Sequence, residues 1–521
     1  MEILVVLYGA LALAILKLSF SWWVSPFKTH QKLKTCGFGG PPPSFPLGNI
    51  QEIKKKNTNN TLSSSSTLNS STTTTTHDIH ATVFPYFSRW QNSHGKVFIY
   101  WLGTEPFLYI AEPEFLKKMS SEVVAKKWGK PNVFKNDRKP MFGNGLVMVE
   151  GNEWFHHRHV VAPSFSPINL KAMASMMKES TEQMMERWIT QINSGNREID
   201  VEKEIIATAG EIIATTSFGM KDQKAREICE KLRELQMILF KTTRYVGVPF
   251  GKWFNTKKTL EARKLGKEID KLLLHVITNR KDSNNKEKDK KEDLLGLLLE
   301  ANRKVDGKLG KTLSTRQLVD ECKTFFFAGH ETTALAISWT LFLLAVHEDW
   351  QIQLRDEIRE VVGDDREIDT NALSGLKKMK WVMNEAVRLY PPAPNVQRQV
   401  REDIKVDNNF TVPSGTNIWI DVVGMHHDPT LWGDDVNEFK PERFMDDVNG
   451  GCNHKMGYLP FGFGGRMCVG RSLSFMEYKI VLTLLLSRFR FKLSPSYQHE
   501  PSIMLSLRPT HGIPLIVETL I

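Results

Sequence analysis

A single cysteine in a glycine-rich loop is the residue of this sequence best suited to chemistry. Residues 461–470 read FGFGGRMCVG, so the loop presents the Cys468 thiol shortly before a strongly apolar segment. Glycine permits positive φ and lets the backbone approach a flat partner closely. The amides of a following helix and the guanidinium of Arg466 are expected to lower the pKa of Cys468 and favour the thiolate. A phosphate-binding loop is the alternative, but neither GxxxxGK[ST] nor GxGxxG after a strand is present.

An acid and an alcohol stand side by side in a second apolar segment. Residues 325–333 read FFFAGHETT, which places Glu331 and Thr332 in a helix that is otherwise apolar. Polar groups in such a place are costly unless they have a partner or a task, and Gly329 leaves room for a small ligand. The other interpretation is that the hydroxyl bonds back to a carbonyl of its own helix, which requires no chemistry.

Two further pairs have helical spacing. Glu385 and Arg388 are three residues apart and can form an ion pair on one helix face. Trp154 and Arg158 are four residues apart in the sequence WFHHR. Taken alone, neither pair indicates a function, because such pairs are common on surfaces and in packing.

Together these residues resemble a known family. The spacing Phe461-x-x-Gly464-x-Arg466-x-Cys468-x-Gly470 is similar to the haem-ligand signature of the cytochrome P-450 enzymes, in which a cysteine thiolate ligates the haem iron. Three further motifs match in family order: WxxxR at 154–158, the oxygen-binding helix at 325–333, and the Glu-Arg-Arg network at 385–388 with 441–444. The resemblance therefore spans nearly the whole chain.

The resemblance implies a cofactor site. Cys468 is implied as the axial ligand of haem b, with Phe461 packed beside the sulfur and Gly464 in the ligand loop. The residues implied to contact the haem propionates are Arg466, Trp154, Arg158 and Arg398.

The resemblance also implies roles away from the ligand loop. Glu331 and Thr332 are implied to hydrogen-bond a water chain that brings protons to bound O2, whereas His330 is not a ligand. Glu385 and Arg388, with Arg443, are implied to hold the haem pocket together.

The activity implied is that of a monooxygenase. Such an enzyme uses O2, with electrons from NADPH delivered by a flavoprotein reductase, NADPH-cytochrome P-450 reductase, to hydroxylate a small apolar substrate; no nucleic acid takes part. The runs at 327–333 and 389–392 resemble plant members of the clan that modifies hormones and terpenoids, with the nearest likeness to cytokinin-hydroxylase-like proteins.

Three other functions remain as alternatives. A haem-thiolate isomerase or dehydratase would need no reductase, but such members depart from the threonine or the loop spacing, and Thr332 and the loop are intact here. A membrane-tethered binding protein would not need Glu331 and Thr332. A cysteine hydrolase would need a histidine partner for Cys468 that sequence cannot place.

The elements that would position these residues are mainly helical, with small β-sheets. Apolar residues recur at helical spacing over 170–192, 205–218, 260–277 and 472–489. Two apolar runs, 97–102 and 107–110, surround a Gly/Pro turn and predict a hairpin, and 396–420 is a second strand-rich region. We expect the cytochrome P-450 fold over 77–521, as the resemblance implies.

The N-terminus is unlike the rest of the chain. Residues 3–16 carry no charge, and with the apolar residues that follow they reach the roughly 20 residues of a membrane span. Lysines follow at 28, 32 and 34, so residues 1–24 are predicted to be a transmembrane anchor with the body in the cytosol. A cleaved signal peptide is the alternative. The resemblance implies a single-pass protein of the endoplasmic reticulum membrane.

The segment between anchor and body divides in two. Residues 25–53 are basic and proline-rich and predict a stiff hinge. Residues 54–76 are almost entirely Asn, Ser and Thr after a few lysines, which predicts a disordered low-complexity insertion.

The net charge and the cysteine content limit the possible binding partners and the cellular compartment. The net charge of +10 over 521 residues favours a negatively charged binding partner, which could be an anionic membrane, an acidic protein or nucleic acid. The alternative is that the charge serves only solubility. The five cysteines are widely scattered, with no paired spacing of a zinc site or a disulfide framework. This distribution favours a reducing compartment in which one thiol is a ligand.

Overall fold

The computed structural model describes residues 2–54, 77–121, 128–220, 223–240, 246–251, 256–283, 293–303, 312–363 and 370–520. The predicted low-complexity insertion lies outside these residues except for Lys54. The highly charged residues 281–293 are predicted from their composition to form a loop, and most of them lie outside the described residues as well.

Helices make up most of the described chain, as predicted. Their bounds are α1 Glu2–Ser19, α2 Ser25–Thr35, α3 Ile50–Lys54, α4 His80–Val83, α5 Pro85–His94, α6 Pro113–Ser121, α7 Asn132–Phe142, α8 Gly151–Val161, α9 Pro167–Asn193, α10 Val201–Phe218, α11 Gln223–Phe240, α12 Thr256–Ser283, α13 Leu294–Arg303, α14 Thr315–Val346, α15 Glu348–Val362, α16 Lys377–Leu389, α17 Val422–His426, α18 Pro429–Trp432 and α19 Arg471–Arg488. The four helices predicted from periodicity are confirmed as α9, α10, α12 and α19, each within a few residues at either end.

The strands form small sheets at the edges of the helical body. Their bounds are β1 Val97–Leu102, β2 Glu105–Ile110, β3 Trp128–Gly129, β4 Glu198–Asp200, β5 Asn395–Val400, β6 Ile404–Lys405, β7 Thr411–Val412, β8 Asn417–Asp421, β9 Phe489–Leu493, β10 Pro501–Met504, β11 Ser506–Pro509 and β12 Pro514–Thr519. The largest sheet has the order β1-β2-β8-β5-β3, a second has β4-β12-β9, and β6-β7 and β10-β11 are two-stranded. The predicted hairpin is confirmed, because β1 pairs antiparallel with β2 from Val97 opposite Ile110 to Leu102 opposite Glu105.

Helix α14 is the central element of the core. It runs for 32 residues, and most of its side chains are buried on every face. A helix that is apolar all round belongs in an interior. Its start is fixed by a capping box, in which Ser314 Oγ accepts from the Gln317 backbone N–H and the Gln317 side chain accepts from the Ser314 N–H.

The N-terminal helix extends beyond the predicted anchor. A continuous helical segment runs from Ile3 to Thr35, and its apolar N-terminal window is not buried in the body. Residues 20–24 form a π-helical turn between α1 and α2. The first part of the predicted hinge is therefore helical, whereas 36–49 carries the glycines and prolines outside it. An exposed apolar helix of this length fits a membrane anchor.

Candidate active site

One cavity contains the candidate chemical residues. Its volume is about 630 Å³, and it is bounded by α14, α8, β5, the loop at 459–470 and the turn between β10 and β11. Most of the side chains that line it are apolar, among them Phe142, Leu146, Ile213, Phe240, Phe327, Ala336, Val387 and Leu505. Cys468 lies on this wall together with Thr332. Residues more than a hundred positions apart in sequence are thus brought to one space.

The cysteine loop is held by its own backbone. The Cys468 N–H donates a hydrogen bond to the carbonyl of Phe461 at 3.0 Å, which closes the loop. Gly462 and Gly464 have φ of 73° and 62°, a region that residues with a Cβ rarely adopt. An added Cβ would meet nothing within 4 Å at either position, so these two glycines are required for conformation and not for space.

The predicted cause of thiolate formation at Cys468 is wrong. Burial raises the pKa of Cys468 above its ordinary value, and the Gly470 backbone N–H, Arg158 and Arg471 only partly oppose this. The side chain of Arg466 is directed elsewhere: Nη2 donates to the carbonyl of Val149 at 2.8 Å. Desolvation disfavours the Cys468 thiolate more than these neighbouring groups favour it. A metal ion would deprotonate a coordinating thiol outright.

Basic side chains gather on the same cavity wall. Burial and the charge of Arg466 lower the pKa of Arg398 to about 9, and burial lowers that of Arg466 to about 10. Burial and the neighbouring cations also hold the pKa of Lys130 well below its ordinary value. The nearby carboxylate of Glu150 is already bound by Arg401 and Lys135. Among the described residues, no carboxylate forms an ion pair with these three cations. Binding an anion at this wall would therefore stabilise them.

Trp154, Arg158 and Phe461 surround this basic wall. The guanidinium of Arg466 lies over the Trp154 ring, 4.8 Å from its centroid. Arg158 Nη1 donates to the carbonyl of Met467 at 3.1 Å. Phe461 packs against Phe475, with ring centroids 5.5 Å apart. Of the cofactor residues implied by the resemblance, six border this cavity: Trp154, Arg158, Arg398, Phe461, Arg466 and Cys468. Gly464 lies in the same loop but does not line the cavity.

The two predicted catalytic residues of α14, Glu331 and Thr332, have different surroundings. Thr332 Oγ1 donates to the carbonyl of Ala328, one turn earlier, at 2.8 Å. Glu331 Oε1 accepts hydrogen bonds from Gln236 Nε2 at 2.9 Å and from Ser506 Oγ at 2.6 Å. Both residues line the cavity.

The glutamate–arginine group lies apart from the cavity wall. Glu385 and Arg388 are both fully buried, and Arg443 Nε lies 3.5 Å from Glu385 Oε1. Arg388 also donates to the carbonyls of His426 and Val436. The structure thus brings the three residues together around the carboxylate of Glu385, and Arg388 binds backbone carbonyls on the far side.

Some residues at the site carried no signal in the sequence. Lys130 follows an ordinary Trp-Gly pair, and Ser506 lies in a strand far from any motif. Outside the cavity lining, the sequence likewise carries no signal for the buried pair between His157 on α8 and Glu321 on α14. Each of these depends on a contact between distant segments, so local spacing could not reveal it. A half-buried lysine beside arginines is recognisable only once the fold is known.

Comparison with known proteins relates this chain to one family, in agreement with the resemblance seen in the motifs. The family model of cytochrome P450 matches residues 73–517. Cytokinin hydroxylase of Arabidopsis thaliana is 35% identical over 504 residues, covering 96% of this chain and 94% of that protein. Cytochrome P450 714C2 of Oryza sativa subsp. japonica is 33% identical over 500 residues, covering 96% and 94%. Cytochrome P450 734A1 of Arabidopsis thaliana is 32% identical over 521 residues, covering 98% and 95%.

The residues that line this cavity are suited to binding the haem of that family. A haem carries two propionates, and the half-buried cations Arg398, Arg466 and Lys130 lack a carboxylate partner among the described residues. A thiol, the family's iron ligand, lines the same cavity. The extent of the family match and the identity to full-length relatives agree with this chemistry. This chain belongs to the cytochrome P450 family and is a haem-thiolate monooxygenase.

Proposed function

We propose that this monooxygenase hydroxylates a small apolar molecule of plant-hormone or terpenoid type, using O2 and electrons from NADPH delivered by a flavoprotein reductase. The observation that carries this proposal is the cavity, whose lining is largely aromatic and aliphatic around a single thiol. Pockets of this character bind apolar ligands and use a few polar groups to orient them. The name of the relative cytokinin hydroxylase supports the choice of a plant hormone.

The haem would be held by residues on two sides of the cavity. Cys468 would bind the iron, with the loop kept in place by Gly464 and by the bond to Phe461. Arg466, Arg398, Arg158 and Trp154 would contact the propionates. Bound haem supplies the activation of O2 and the oxygen transfer. Pairing with carboxylates would relieve the repulsion among the half-buried cations.

Thr332 is proposed to position protons for the reaction. Its hydroxyl donates to Ala328 and lines the cavity, so its oxygen can accept a hydrogen bond from water there. Glu331 remains a predicted member of the same relay. Its Oε1 is occupied by two donors, so any exchange of a proton would use Oε2.

The proposed location is the endoplasmic reticulum membrane, with the body in the cytosol. The exposed apolar helix and the lysines after it favour this orientation. The net charge of +10 suits an anionic membrane surface and an acidic reductase. NADPH-cytochrome P-450 reductase is therefore the proposed electron donor.

The decisive experiment combines a spectrum with a turnover assay. The reduced protein with carbon monoxide should give the thiolate-type spectrum, and Cys468→Ala should lose it. Cys452→Ala is the matched control, because Cys452 is half-buried and does not line the cavity. Product formation should require both NADPH and reductase. Turnover without reductase would identify an isomerase or dehydratase instead.

A further inference from the structure

A buried polar cluster joins three elements at one side of the cavity. Glu331 on α14 accepts from Gln236 on α11 and from Ser506 on β11. Gln236 Nε2 also donates to the carbonyl of Met504 at 3.0 Å. Glu331, Gln236 and Ser506 are all buried. The cluster therefore fixes the position of the Glu331 carboxylate at the cavity edge.

The cluster has more negative than positive charge in close contact. Arg508 Nη2 donates to Glu202 Oε1 at 2.8 Å, while its Nη1 lies 3.9 Å from Glu331 Oε1. One guanidinium is thus shared by two buried carboxylates. Burial raises the pKa of Glu331, but the charge of Arg508, with help from His330, Gln236 and Ser506, brings it below the ordinary value. Glu331 is therefore a charged acceptor.

Within the described part of the chain, partners contact only one of the two carboxylate oxygens of Glu331. The contacts from Gln236, Ser506 and Arg508 all end on Oε1. No side chain or backbone N–H in the described part of the chain donates a hydrogen bond to Oε2. Glu331 lines the cavity, so this oxygen is available to a molecule inside it. A buried acceptor normally has a donor, and here the donor must come from the cavity contents.

We propose that Glu331 Oε2 binds a hydroxyl or N–H group of the substrate, so that the enzyme selects molecules with an apolar body and one hydrogen-bond donor. This inference rests on the proposed function, because the substrate is the molecule that shares the cavity with the haem. Water can satisfy Oε2 before the substrate enters. An apolar ligand without a donor displaces that water and leaves a charged oxygen unpaired, which weakens its binding.

The test uses pairs of ligands that differ only in the donor. Imidazoles carrying an ω-hydroxyalkyl chain are compared with their methyl ethers over increasing chain length. The imidazole binds iron, and the shift of the haem Soret band reports binding without turnover. At one or more chain lengths the alcohol should bind the wild-type protein about tenfold more tightly than the ether. The ω-amino analogues show whether a charged N–H donor is preferred to a hydroxyl.

Glu331→Gln is the informative variant. The two donors on Oε1 would hold the amide oxygen of the glutamine in place, which turns its NH2 group toward the cavity. The preference for alcohol over ether should then disappear. Glu202→Gln is the control, since it alters the other carboxylate of the cluster, which does not line the cavity, and it should keep the preference. Carbonyl spectra and thermal midpoints establish that each variant is folded and loaded.

Three outcomes would overturn the inference: no preference in the wild-type protein at any chain length, a preference that survives in Glu331→Gln, or one lost equally in Glu202→Gln. A role for Oε2 in proton delivery alone predicts the first of these. Stabilisation of the thermal midpoint by the same ligand pairs provides a second measure of binding that does not depend on the Soret band. Failure of the proposed function would be seen separately, as a missing thiolate spectrum or turnover without reductase.

Discussion

Arg388 and Glu385 form a two-point ion pair in which both side chains are fully buried. Arg388 Nε lies 2.6 Å from Glu385 Oε2 and Nη2 lies 2.8 Å from Oε1. The remaining donors of Arg388 reach backbone carbonyls of the segment between α17 and residue 438. The pair therefore connects α16 to the chain that leads into the cysteine loop.

Breaking this pair should destabilise the protein severely. Arg388→Leu leaves the buried Glu385 carboxylate with only Arg443 and the Lys440 backbone N–H beside it among the described residues. Loss of one partner of a buried pair costs about 3–5 kcal/mol. The urea midpoint and the haem content should both fall. The double variant Glu385→Leu with Arg388→Leu should recover part of the loss, because no unpaired charge remains.

The chain offers an exposed pair of the same kind as a control. Arg359 Nη1 lies 3.3 Å from Asp356 Oδ1 on α15, also three residues apart, with both side chains more than half exposed. Arg359→Leu should change the free energy of unfolding by less than about 1 kcal/mol. If Arg388→Leu and Arg359→Leu lowered the free energy of unfolding equally, burial would not be the cause of the larger loss expected at Arg388.

Thr332→Ala should separate NADPH consumption from product formation. The hydroxyl is proposed to position protons, so NADPH use should continue while product falls and hydrogen peroxide rises. The ratio of product to NADPH is the measurement. Thr216→Ala is the control, because Thr216 makes the same bond to a carbonyl one turn earlier, at 2.7 Å, but lies outside the cavity lining. A normal ratio with a lowered thermal midpoint in Thr332→Ala would assign this residue a structural role.

Glu477 on α19 should make the protein less stable as pH rises. Burial raises its pKa from 4.5 to about 8, and its Oε1 has no hydrogen-bond partner among the described residues. Between these two values the folded protein holds a proton that the unfolded chain has released. Stability from this group is full below pH 4.5 and falls by up to about 1.4 kcal/mol per pH unit toward pH 8. Thermal midpoints at pH 5.5 and 7.5 should differ less in Glu477→Gln than in the wild-type protein. An equal difference in the two proteins would contradict a raised pKa of Glu477.

Deleting residues 2–24 should release much of the protein from membranes. The deletion removes α1 and the π-helical turn, which carry the longest exposed apolar run. The thiolate spectrum should remain, since no cavity residue is lost. Fractionation after carbonate washing measures the result, and an unchanged membrane fraction would place the anchor elsewhere.

The sequence was informative wherever a property is local. Periodicity identified four of the long helices, α9, α10, α12 and α19. The Gly/Pro turn at 103–106 identified the hairpin. These signals act over a few residues, so they do not require knowledge of the fold.

The sequence was uninformative wherever two distant segments meet. Glu331 and Ser506 are 175 residues apart, and no spacing rule connects them. The prediction for the pKa of Cys468 failed for a related reason, because the extent of desolvation depends on the whole cavity and not on the neighbouring residues. The half-buried cations around Lys130 are likewise a property of the assembled site.

The continuation of the apolar helix α1 into α2 would determine how the enzyme lies on the membrane proposed for it. Pro26 and Leu33 of α2 are buried, and the ring of His30 lies 6.0 Å from that of Trp101 in β1. The direction in which the membrane helix leaves the body is therefore set by side-chain packing. A catalytic body attached in this way has a preferred tilt on the bilayer instead of free rotation on a tether. A soluble form should therefore begin no later than Ser25, so that the buried side chains of Pro26 and Leu33 are kept. A truncation that removes them would expose the core.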